Sequence, residues 1–355
     1  MPTTTRKRAT VAESFRTWRE SLDLFGAVKA GDRETVRRLI DAGSDIKERD
    51  DFGRTALFWA ICGGHGGSRE SIVSLLIEKG GVNLCEARIN DGGTALMAAA
   101  VHGHESIAQQ LLGVVGADRG GVHARNTYGS TALMAAVEQG HESTARLLIE
   151  NGSDVNAKTS KGVTSLLASS WNGHESVVRL LLEKGADVNA RSEDGSTALM
   201  RAAARGHESI ARLLIESGSD VNVRRSSDGS SALACAALSR HVPTIRLLIE
   251  KRNESVKDDD PDTLKENALA LMTAANNGCE EAFHTILTGP GMIILNDNIS
   301  AAVRTLMKKV KEKQNTPVRD HARSVQKVID EDKEQLPDGM YVKLCGINKR
   351  AYDEI

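Results

Sequence analysis

One period runs through most of the chain. Thr131-Ala-Leu-Met134, Thr164-Ser-Leu-Leu167 and Thr197-Ala-Leu-Met200 recur at intervals of 33 residues. Thr94-Ala-Leu-Met97 precedes them by 37, and Ser231-Ala-Leu233 follows by 34. Thr55-Ala-Leu57 lies upstream, and Leu269-Ala-Leu-Met272 closes the series. Gly-His-Glu-Ser stands at Gly103, Gly140, Gly173 and Gly206, followed by Leu147-Leu-Ile-Glu150 and its equivalents at Leu180, Leu213 and Leu247. A unit this short cannot bury its apolar face alone, so the chain must stack copies that share one core.

Each unit can be read physically. The Thr follows a Gly-containing turn and is placed to N-cap a short first helix. Alanines such as Ala135 and Ala136 let that helix approach its neighbour closely. Gly140 supplies the left-handed conformation that ends it. His141-Glu-Ser143 opens a second helix with Leu147, Leu148 and Ile149 as its apolar stripe, and Gly152 ends that helix in turn. The histidines at 104, 141, 174 and 207 are read as structural, each bonding local backbone at a helix start. They recur one repeat apart and cannot converge on a metal ion with ~2 Å bonds.

This pattern resembles the ankyrin-repeat family, whose unit is a 33-residue helix–turn–helix with a hairpin loop and a Thr-Pro-Leu-His signature. Ala replaces the Pro, and Met97, Met134 and Met200 stand in place of the His. The resemblance implies an all-α repeat solenoid of about eight units with β-hairpin loops. It also implies that one hydrogen bond between neighbouring hairpins is missing. The expected organisation is an N-terminal tail and capping helix over 1–22, repeats over 23–289, and a C-terminal helical cap and tail over 290–355. Insertions are expected at 63–67, 113–121 and 251–266.

Composition narrows the function. Net charge is −2, which gives no reason to expect nucleic acid as a partner. Five dispersed cysteines form no CxxC pair, and the polar start Met1–Thr10 carries no apolar h-region. A cytoplasmic or nuclear, monomeric protein is expected, with no membrane span. No phosphate loop or nucleophile elbow occurs, and no metal or cofactor site is expected. The chain therefore reads as a non-enzymatic protein.

What remains is a surface. The family resemblance implies that partner proteins bind a concave groove lined by loop tips and first helices. The tips place Phe52, Arg54, Tyr128, Lys161 and Glu193 there, and the helices place Trp59, His102, Glu138, Trp171, Asn172, Arg201 and Arg205. Four of only eleven aromatics (three Trp, three Tyr, five Phe) fall at these positions, and aromatics and Arg dominate binding hot spots. The resemblance thus implies a scaffold or adaptor. The alternative is a substrate-recruiting subunit of an enzyme such as a ubiquitin ligase, docking through the C-terminal helices. It also implies that Asn156, Asn189 and Asn222, each eight residues after a Leu and within Asp-Val-Asn, are candidates for asparaginyl hydroxylation. The competing reading gives each Asn a turn-forming role.

Overall fold

The computed structural model describes residues 22–63, 68–116 and 121–253, with scattered positions between 270 and 286. The expected capping helices, the eighth unit for the most part, and the core of each insertion lie outside the described residues. The chain divides into two compact units at Glu193/Asp194.

Fourteen helices form seven pairs among the described residues. In the first unit the pairs are α1 (Leu24–Ala30) with α2 (Arg33–Asp41), α3 (Ala56–Cys62) with α4 (Arg69–Cys85), and α5 (Ala95–Val101) with α6 (Glu105–Val115). They continue with α7 (Ala132–Glu138) and α8 (Glu142–Glu150), then α9 (Ser165–Asn172) and α10 (Glu175–Glu183). The second unit holds α11 (Ala198–Arg205) with α12 (Glu208–Glu216) and α13 (Ala232–Leu238) with α14 (Val242–Asn253).

The caps form as the period predicts. The side chains of Thr94, Thr131 and Thr197 each accept the backbone N–H three residues on, at 3.3 Å. Thr55, Thr164 and Ser231 do the same. The first helices pack on one another in chain order, α1 on α3, α3 on α5, α5 on α7 and α7 on α9. The second helices form a parallel layer, α2 to α10. Ala99, Ala100 and Ala136 are fully buried in the first layer, so no side chain holds these helices apart. Leu148 and Leu181 fill the second layer, each burial contributing about 2 kcal/mol. Met97, Met134 and Met200, which replace the family His, are buried with them.

Two expectations need correction. The loops are not strand ladders: among the described residues the only β pairing is an isolated bridge between Arg224 and Ser231. Each tip is a tight turn, closed in the first unit by pairs such as Asp50 N–H to Arg54 C=O at 3.0 Å and Gly53 N–H to Asp50 C=O at 2.8 Å. So short a turn satisfies its groups locally and leaves no length for a ladder. The second expectation concerns repeat two, where the extra residues are not confined to 63–67. α4 is kinked at Gly81 (φ 59°, ψ −159°), and the turn after the kink buries Leu84 and Cys85.

Candidate functional site

The Gly-His-Glu-Ser motif proves to be the lock between repeats, not a local cap. None of its histidines makes a side-chain cap bond at its own helix. In the first unit His141 instead donates Nε2–H to Val101 C=O at 3.0 Å, one repeat back, and His174 donates to Glu138 C=O at 3.0 Å. The reading of these histidines as bonding local backbone is thereby corrected. Their structural role stands, because the end of a first helix leaves carbonyls without intrahelical donors. Gly140 shows what the motif's first letter does. It has φ 79°, and a Cβ there would lie 2.6 Å from the His174 ring. The Glu and Ser form a second seam. Ser106 donates to the Glu70 carboxylate, and Glu142 accepts from Ser176 and pairs with Arg146 at 2.9 Å. Bonds from Arg146 and Ser176 hold the Glu142 carboxyl below the usual carboxylate range.

These positions are occupied by structure, and a docking surface must lie elsewhere. Among the described residues the exposed large hydrophobics are Phe52 (64%), Tyr128 (64%), Leu238 (61%), Val101 (40%) and Trp171 (38%). Phe52 and Tyr128 are loop-tip residues. Val101, Trp171 and Leu238 lie at the C-terminal ends of first helices. None lies on a second helix. Val101 is not legible as surface in the sequence, since a Val in an apolar run looks like core.

The tips of the first unit are held in register by backbone. Asn90 N–H bonds to Phe52 C=O at 3.1 Å, Thr127 N–H to Asp91 C=O at 2.8 Å, Ser160 N–H to Tyr128 C=O at 2.9 Å, and Glu193 N–H to Lys161 C=O at 3.1 Å. The exposed side chains of Phe52 and Tyr128 thus project from a fixed edge.

Phe52, Arg54 and Trp59 form one cluster, and the remaining predicted residues do not join it. The Arg54 guanidinium sits 4.1 Å from the Trp59 ring centre and 4.6 Å from that of Phe52. On the indole, Lys29 Nζ lies 4.2 Å from the ring centre. Asp50 ties the group together, accepting Trp59 Nε1–H at 2.9 Å and pairing with Arg54 at 2.8 Å. Burial raises the Asp50 pKa, but bonds from Arg54, Trp59 and Phe52 outweigh it and the net shift is downward. Trp59 and Arg54 are half-buried by this arrangement, whereas Phe52 stays open.

The other candidates divide by what already engages them. His102, Glu138, Lys161, Asn172, Glu193 and Arg205 are exposed, and Arg201 is half-buried. Asn172 spends its amide on Glu138 C=O at 2.9 Å. His102 stacks on His104 with ring centres 5.7 Å apart. The His104 ring accepts from Arg69, 2.6 Å away, and Arg69 also binds Gly63 C=O. Burial first, and then the charge of Arg69, lowers the pKa of both histidines.

The three asparagines differ. Asn156 is exposed but its amide is engaged by the next repeat, donating to Gly185 C=O at 3.1 Å and accepting from Asp187 N–H at 2.8 Å. Asn189 is exposed and Asn222 half-buried.

A family model described as ankyrin repeats (3 copies) matches residues 24–120, 115–192, 161–225 and 199–297. No curated protein matches the chain.

Proposed function

The chain belongs to the ankyrin-repeat family, and from that premise we propose that it is a non-enzymatic scaffold or adaptor that binds a partner protein on its loop tips and first-helix ends. Ankyrin repeats generally mediate protein–protein interaction. The observation that carries the reading here is the distribution of exposed large hydrophobics. All five among the described residues lie on tips or first-helix ends and none on second helices. Aromatic side chains held open on a stiff backbone are the anchors that interfaces use. The dispersed cysteines support a reducing compartment, cytoplasm or nucleus.

The test is capture of partners from native lysate with the wild-type chain and with Tyr128→Ala/Trp171→Ala. A partner lost by the double variant, with an unchanged circular-dichroism melt, supports the surface. Retention of every partner by the folded variant refutes it.

A further inference from the structure

The loops of the first unit carry a row of cations that the aromatic surface does not explain. Four residues before each tip glycine stands a basic residue: Arg49, Arg88, Arg125, Lys158 and Arg191, before Gly53, Gly92, Gly129, Gly162 and Gly195. All five are exposed. The first three form a ladder. Arg49 donates to Arg88 C=O at 2.6 Å, Arg88 to Arg125 C=O at 2.8 Å, and Arg125 to Lys158 C=O at 2.6 Å. Arg88 and Arg125 also reach the carbonyls of Gly92 and Gly129 in their own loops, at 3.1 and 3.2 Å. Each of these two guanidiniums therefore lies against the glycine that follows its tip residue, and the row flanks the edge from which Tyr128 projects.

Two features set this row apart from ordinary surface charge. Its acceptors are carbonyls, so the hydrogen bonds fix the side chains without neutralising them. Among the described residues none of the five forms an ion pair. Of the acids in the first two loops, Asp50 is paired with Arg54 and bonded by Trp59, and Asp91 accepts Gly93 N–H at 2.8 Å.

We propose that this row is a docking edge for an extended acidic segment of the partner protein, a reading that rests on the protein-binding function above. Packed helices stand about 8–10 Å apart, which sets the step between cations. A chain in the polyproline II conformation advances ~3.1 Å per residue with three residues per turn, so a carboxylate at every third residue stays on one face and meets one cation per repeat. A nucleic acid strand carries a charge every ~3.4 Å, far denser than the row.

The experiment is fluorescence anisotropy with a labelled peptide of repeating Asp-Ser-Gly triplets, its Asn-Ser-Gly counterpart and labelled oligothymidylate, against the full chain. The acidic peptide is expected to bind, the neutral one not, and affinity to fall with salt. Arg88→Gln/Arg125→Gln should weaken binding roughly tenfold. Lys158→Glu/Arg191→Glu should weaken it at least as much, and these side chains take no part in the ladder, so the melt should not move. Equal binding of the two peptides, or unchanged affinity on charge reversal, overturns the proposal. Tighter binding of oligothymidylate, lost in the same variants, overturns it in favour of nucleic acid. The probes carry no apolar anchor, so failure of the Tyr128/Trp171 surface would leave this measurement readable.

Discussion

The junction at Gly140–Ser143, in the first unit, and the one at Arg240–Pro243, in the second, solve one packing problem with different residues. At the first, Gly140 takes φ 79°, His141 reaches back to Val101 C=O, and Glu142 extends the seam to Ser176. At the second, Arg240 takes the left-handed conformation at φ 64°, alone among described non-glycine residues. His241 keeps its place all the same. Its N–H bonds Ala236 C=O at 3.0 Å, as His141 N–H bonds Ala136 C=O at 3.0 Å, and its ring packs on Gly206. Val242 and Pro243 replace the Glu and Ser. What these two junctions share is therefore a left-handed turn and an imidazole against the preceding glycine. The Glu–Ser seam is an addition.

That ranking can be broken by experiment. Gly140→Ala should have the largest effect, a loss of about 2 kcal/mol or more in denaturant unfolding, from left-handed strain together with displacement of His174. If the loss is no larger than for an exposed Ala substitution, the glycine cradle is not what joins repeats. Arg240→Gly should act in the opposite direction, stabilising the second unit by up to about 1 kcal/mol as strain is removed. Destabilisation would mean that the Arg240 side chain contributes more than its backbone costs.

The smallest effect is electrostatic and separates the His104 junction from the His141 one. Burial, and then Arg69, depress the His104 pKa. A neutral ring is thus favoured in the folded state, so its contribution is whole above about pH 6.5 and falls away as pH drops through the folded midpoint. Arg69→Gln should raise the His104 midpoint toward the ordinary value in an NMR titration. No change at His104 would show that the charge of Arg69 takes no part in the shift.

Much of the fold was legible because its signals are local. A Thr three residues before the N–H it caps, or two leucines on one helical face, can be read within a few residues of chain. The candidate surface was legible in part. Phe52, Tyr128 and Trp171 are exposed as the tip and helix positions implied, while Trp59 and Arg54 are drawn together by Asp50. The arginine row could have been found by aligning the units on their tip glycines. His241 was hidden by its neighbours, since Arg-His-Val-Pro does not look like Gly-His-Glu-Ser.

By itself the sequence determined the period, the helix pairs, their caps and the faces they bury, because each depends on residues near one another in the chain. Only the tertiary structure decided what the polar letters of the repeat are for. The partners of His141, Arg88 and Asn156 lie 40, 37 and 29 residues away. A period says that such residues recur, but not whether each bonds within its own unit or to the next. Stacking brings one repeat's side chains against another's unpaired carbonyls, and that contact exists only once the repeats are packed.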